Sequence, residues 1–211
     1  MNTQTPTLIN GVNVDQLVAT VNAIKENPDL AQFQFRARNE WLDGGHSRTF
    51  IQGFYGAGQE DASRTKPFIL EGDEPPVLLG GNAGPNAVEV VLHALASCLA
   101  VGFIYNAAAQ GINIESLSFD LEGDLDLRAF LGLSEEVRPG YEGIRLIYQV
   151  KSDAPREKIV ALCEYVQKTS PLLDIIRNPV PVTVSLKGQN MQREGDNPSY
   201  ALTIQPEAQI H

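Results

Sequence analysis

One segment constrains this fold more than any other. Ala87–Ala109, AVEVVLHALASCLAVGFIYNAAA, is small and aliphatic almost throughout. It follows a glycine-rich, proline-marked loop, LGGNAGPN (Leu79–Asn86). Pro85 and Asn86 mark a helix start, with Asn86 as the cap, and Gly111 marks its end. Glu89, His93, Ser97, Asn106 and the many alanines make it a buried core helix rather than a membrane span. A helix this apolar must be covered on all sides. A chain of 211 residues with small sheets covers it poorly. The pattern therefore predicts an α+β fold in which this helix packs on a second helix and a second subunit completes the cover.

Glu89, His93 and Ser97 recur at i, i+4 and i+8 and form the polar stripe of this helix. The stripe must face water, a cavity or a partner's polar groups, since unpaired burial costs roughly several kcal/mol. Glu89 also holds the third helical position, where it completes a capping-box pair with Asn86. Cys98 lies nine positions beyond Glu89, about half a turn round an ideal helix. The two do not meet within one helix, and Glu89 would approach only the thiol of a symmetry-related chain. Judged by residue type alone, Cys98 is inert packing. A reactive thiol needs a nearby cation or a helix N-terminus, so for a mid-helix cysteine the cation must come from elsewhere. The histidines, His46, His93 and His211, show no metal-ligand spacing with a cysteine, and no metal site is expected. LGGNAGPN precedes a helix as phosphate loops do but lacks their GK[ST] ending, which argues against a nucleotide.

The formal net charge is −10 and basic residues are not clustered, which argues against nucleic acid or an anionic membrane as partner. No basic segment followed by an apolar run opens the chain as a signal peptide would. The expectation is a cytoplasmic protein whose two cysteines, Cys98 and Cys163, are free or redox-active.

Elsewhere the periodicity predicts a helix over Asn13–Glu26, capped by Asn13 and stopped at Asn27-Pro28. Phe33–Glu40 alternates as one strand, Gly44-Gly45 turns, and Arg48–Phe54 is a second strand. Gly56–Ser63 is read as a loop, Lys66–Leu70 as extended and Asp73–Pro76 as a turn. Leu117–Leu127 and Ile144–Val150 alternate and should pair antiparallel across a long excursion, Ala129–Gly143. Pro155–Lys168 is a second helix with Ile159, Cys163 and Val166 on one stripe. Ser170-Pro171 breaks it and restarts a short helical piece. Val180–Leu186 is a strand that Pro181 demotes to an edge or a bulge, and a last strand is expected near Tyr200–Ile204 in a polar tail.

Leu78–Phe103, LLGGNAGPNAVEVVLHALASCLAVGF, resembles the glycine-rich loop and reactive-cysteine helix of the OsmC/Ohr family of thiol-dependent hydroperoxide reductases. Phe119–Val150 resembles the central strand pair of an OsmC-like branch, and Thr169–Val182 the second helix and final strand. The resemblance implies an OsmC-like fold, antiparallel sheets wrapped around two long central helices in an intertwined homodimer with its active sites at the interface. It divides the chain into an N-terminal helical extension (1–30), an OsmC-like domain (31–186) and a C-terminal tail (187–211). It makes Cys98 the peroxidatic cysteine, attacking the peroxide as a thiolate and becoming a sulfenic acid. The family's activating arginine, from the N-terminal strands, matches Arg48 best, with Arg64, Arg38 and Arg36 as alternatives. Val88 takes the exact offset of the family's site glutamate, so Glu89 is a loose match. The resolving cysteine of the family's Cys-Pro pair is replaced here by Ser170. Cys163 lies two helical turns earlier, about 10 Å along the axis, too far for a disulfide unless the helices pack with another offset.

Two functions remain open on the sequence. One is a peroxidase of organic hydroperoxides without a cofactor, regenerated by an external thiol. The other is a non-catalytic dimer that binds a small apolar ligand at the subunit interface.

Overall fold

The structure, a computed structural model, describes residues 6–186 and 200–202. Internal contacts divide the chain into two units, residues 1–172 and 173–211.

The first unit opens with a small hairpin of β1 (Leu8–Ile9) and β2 (Val12–Asn13). Asn13 caps α1 (Val14–Glu26), its side chain accepting the Gln16 N–H, and Asn27 ends the helix as expected. Asn10, in the hairpin turn, donates to the Ile112 carbonyl at 2.9 Å and accepts from the Ile114 N–H at 2.8 Å. With α1 packed on the long helix, these bonds dock the N-terminal segment where the chain leaves that helix.

The single strand expected over Phe33–Glu40 is two. β3 (Gln34–Phe35) and β4 (Arg38–Asp43) belong to different sheets. The chain changes partner at Arg36–Ala37: β3 pairs with β6, where Phe33 and Phe35 meet Phe54, while Arg38 opens the pairing of β4 with β5. Alternation alone does not reveal such a switch. Past the Gly44-Gly45 turn, β5 (His46–Ile51) is central in the antiparallel order β4-β5-β8. β6 (Phe54–Gly56) and β7 (Gln59–Asp61) turn the expected Gly56–Ser63 loop into a hairpin, because Ala57 and Gly58 both adopt positive φ, 49° and 82°. β8 is Phe68–Gly72.

The long helix, α2, is Ala87–Ala109. β9 (Ile114–Asp124) follows, then the single turn α3 (Leu127–Phe130), β10 (Gly143–Ser152), α4 (Arg156–Thr169) and α5 (Pro171–Arg177). β9 and β10 pair antiparallel, with Leu121 opposite Leu146 and Phe119 opposite Tyr148. Most of their apolar side chains share one face, as the alternation predicts, while Ile147 lies on the other and is exposed. The other face carries ion pairs from Arg145 to Asp124 and Glu122 and from Lys151 to Glu115.

The core is a stripe of α2, Leu95, Leu99, Phe103 and Ala107, against Leu162 and Val166 of α4. Tyr148 joins it, its ring 6.1 Å from Phe103 and 4.9 Å from Phe119. Its buried hydroxyl has no hydrogen-bond partner among the described residues, and burial, then the nearby Cys163, pushes its ionisation up to about 12. By length and composition α2 could cross a membrane, yet only 17% of its most apolar stretch is buried within this chain. Its main element contacts are with α4, β9, α1 and β2. Val101 and Tyr105 stay about half exposed, at 55% and 47%.

In the second unit, β11 (Val184–Leu186) pairs antiparallel with β12 (Tyr200–Leu202). The strand expected from Val180 begins only at Val184; Pro179 and Pro181 supply no N–H for a ladder. The rest of the polar tail and His211 lie outside the described residues.

Candidate functional site

The site begins with the loop that delivers α2. Asp73, only 4% exposed, accepts N–H bonds from Gly81 and Ala83 on Oδ2, both 3.0 Å, and from Glu74 on Oδ1 at 2.8 Å. Those donors, Ala83 first and then Glu74 and Gly81, hold its carboxyl below the usual range, helped by the charge of His46. The glycines are there for close approach. A Cβ on Gly80 would lie 1.8 Å from the Glu74 carbonyl oxygen, and one on Gly84 2.4 Å from that of Glu71. Asn86 and Glu89 then close the predicted capping box, each side chain bonding the other's backbone N–H at 2.9 Å. The Tyr141 hydroxyl donates to the Val88 carbonyl at 2.8 Å, pinning the 129–143 excursion to the first turn of α2. Burial, then the Glu89 charge, raises its ionisation.

From this start α2 carries Cys98 to the α4–α5 junction. Its Sγ lies 3.2 Å from the Ser170 hydroxyl. Ser170 is 5% exposed and Cys98 part-buried. One turn on along α2 and one turn back along α4, Gly102 faces Val166 so closely that a Cβ on the glycine would sit 3.2 Å from Cγ1. The helices thus run antiparallel in a register that sets Ser170 opposite Cys98. Cys163 is two turns back from Ser170, about 10 Å along the axis, and beyond reach of a disulfide with Cys98 in this register. Burial pushes the Cys163 thiol up, which makes it a poorer nucleophile.

Each arginine singled out in the sequence has partners in its own chain. Arg48 donates through Nε to Glu71 at 2.7 Å, and His46 meets the other oxygen of that carboxylate at 2.9 Å. His46 first, then Arg48, holds Glu71 below its ordinary range. Arg38 pairs with Glu40 and Arg36 with Glu60. Arg64 lies over the rings of Phe54 and Phe68 and donates to the Gln52 carbonyl. The chain therefore brings together Cys98 and Ser170, and separately Arg48 with Glu71, while Glu89 serves the cap. His93 is exposed on α2. Among the described residues no cluster of His, Cys, Asp or Glu could hold a metal ion. Sequence reasoning missed Asp73 and Tyr141. The available signal for Asp73 was weak, since it is one of three acids, Glu71, Asp73 and Glu74, before a loop whose glycines leave several N–H groups unpaired.

Residues 80–185, half of the chain, match the family of OsmC-like proteins. The chain belongs to that family. Among solved structures, an OsmC-like protein from Mycoplasma pneumoniae superposes with a TM-score of 0.55 at 16% identity, covering 69% of this chain and 89% of its own. A protein from Psychrobacter arcticus, described by osmotic stress induction and detoxification, gives 0.51 at 10% identity over 68% and 88%. An organic hydroperoxide resistance protein OsmC from Legionella pneumophila gives 0.49 at 19% identity over 70% and 92%. No curated protein matches in sequence. The first two likenesses, with the family match, establish an OsmC-like α+β fold. In that fold α2 is the central helix of this OsmC-like protein.

Proposed function

We propose that this OsmC-like protein is a cysteine-based peroxidase that reduces organic hydroperoxides through Cys98. One observation carries the reading: the family's central helix presents a part-buried thiol against the hydroxyl of Ser170, with no disulfide formed. The Cys98 thiolate attacks the terminal oxygen of the hydroperoxide. The O–O bond breaks, the alkoxide leaves and takes a proton from water, and sulfur is left as a sulfenic acid. With a serine at the resolving position, an external dithiol regenerates the enzyme. Its first thiol forms a mixed disulfide and water, and its second releases Cys98. The aliphatic surroundings of α2 suit an apolar peroxide, and two free thiols suit a reducing compartment such as the cytoplasm.

The reading includes a homodimer. Arg48 would activate the thiol and Glu89 would orient Arg48 across the subunit interface, Arg48 first leaving Glu71. The half-exposed face of α2 is what a second copy would cover.

The test is intact mass and peptide mapping after one equivalent of cumene hydroperoxide. The expected result is one added oxygen at Cys98, and loss of peroxide turnover in Cys98→Ser. Turnover that survives Cys98→Ser would end this reading. An unreacted Cys98 would favour the non-catalytic ligand-binding dimer.

A further inference from the structure

Ser170 stands where a resolving thiol would stand, and three observations fix its relation to Cys98. Its hydroxyl is 3.2 Å from Sγ. It is 5% exposed, so it is shielded from bulk water. The adjoining Gly102–Val166 contact leaves the two helices little room to shift. Pro171 follows directly and begins α5, fixing the backbone on that side.

We propose that Ser170 is a positioning residue that sets the fate of oxidised Cys98: the hydroxyl donates to the sulfur and holds it as an open sulfenic acid, while denying it a neighbouring thiol. This rests on the peroxidase reading and deepens it. The oxidised resting state is then a single-cysteine sulfenic acid that awaits an external thiol. A second hydroperoxide must approach a sulfur whose lone pair is already engaged, so further oxidation to the sulfinic acid is slowed. Replacing the hydroxyl by a thiol changes the chemistry in one step. A thiol at 170 attacks the Cys98 sulfenic acid, forms the S–S bond and releases water. The hydroxyl oxygen already lies 3.2 Å from Sγ, so a sulfur in its place needs an adjustment of about 1 Å to reach the S–S bond length.

The experiment treats full-length wild type, Ser170→Thr, Ser170→Ala and Ser170→Cys with cumene hydroperoxide in the presence of dimedone, followed by peptide mass mapping. Wild type and Ser170→Thr should carry the dimedone adduct on Cys98. Ser170→Cys should lose two hydrogens in an intrachain bond from Cys98 to position 170 and carry no adduct. Without dimedone and with excess peroxide, Ser170→Ala should reach the sulfinic acid about fivefold faster than wild type, the worth of one neutral hydrogen bond. Recovery in Ser170→Thr separates the hydroxyl's role from a loss of packing. Overoxidation of Ser170→Ala at the wild-type rate overturns the proposal, as does a persistent adduct in folded Ser170→Cys. Diamide, which joins adjacent thiols without a peroxide, distinguishes the two failures. If diamide closes the bond in Ser170→Cys while hydroperoxide leaves Cys98 untouched, the peroxidase reading falls and the assigned place of Ser170 stands. If diamide does not close it, the proposal itself falls.

Discussion

Asp73 shows how much one carboxylate can organise. Three backbone N–H groups converge on its two oxygens. A carboxylate accepts all three, whereas an amide has one acceptor oxygen and must turn its NH2 toward a donor. Asp73→Asn should therefore loosen the 79–86 loop and lower the Tm by several degrees. The pH dependence follows from the sign of the shift. The folded carboxyl lies below its ordinary value, so its contribution is full above the unfolded value of about 3.9 and fades as pH falls through the folded one. Thermal melts from pH 6 downward should show the gap between wild type and Asp73→Asn narrowing below about pH 4. A gap that stays constant to pH 3 would refute the linkage. None of this was legible beforehand, because Asp73 bonds residues up to ten positions ahead and the sequence shows only an acid beside a turn.

For whole elements, local chemistry was the better guide. The caps of α1 and α2 stand at Asn13 and Asn86, where short side chains that bond N–H groups precede the apolar runs. The capping box of α2 supports a quantitative expectation. Asn86→Ala removes the side chain that accepts the Glu89 N–H and should cost about 1 kcal/mol, a Tm drop of about 2–4 °C for a chain of this size. Circular dichroism melts check it, and an unchanged Tm would mean that tertiary packing alone fixes the start of the helix. The strand pair β9–β10 was equally legible, since its alternation runs through ten paired positions with one face apolar. Short strands were less so. β3 and β4 read as one because both obey the same alternation, and the change of partner is decided by Phe54 on one side and Phe50 on the other.

At the scale of the molecule, the unfinished business is the surface of α2. Exposed apolar side chains along a central helix call for a cover, and in the proposed dimer a second copy would supply it. Light scattering should report twice the 23.0 kDa of one chain. Val101→Glu, which puts a charge at a position 55% exposed in the single chain, should shift the species toward monomer while leaving the α2–α4 core intact. A wild type that stays monomeric at tens of micromolar would remove the dimer. It would also remove the route by which Arg48 could reach a Cys98.

The sequence alone shows α1, α2, α4 and α5, the central strand pair and the family resemblance, but not the single turn α3, which takes Leu127 from the expected strand. The elements depend on periodicity, caps and spacing within a few turns, all local properties of the chain, whereas Cys98 stands out as reactive only through the resemblance. The resemblance made Ser170 the expected neighbour of Cys98, but the helix offset on which that depends is a matter of tertiary packing. The α2–α4 register is set by how closely Gly102 lets Val166 approach, a contact between residues 64 positions apart. No local pattern encodes that approach, and it is what brings Ser170 to the thiol and carries Cys163 away from it.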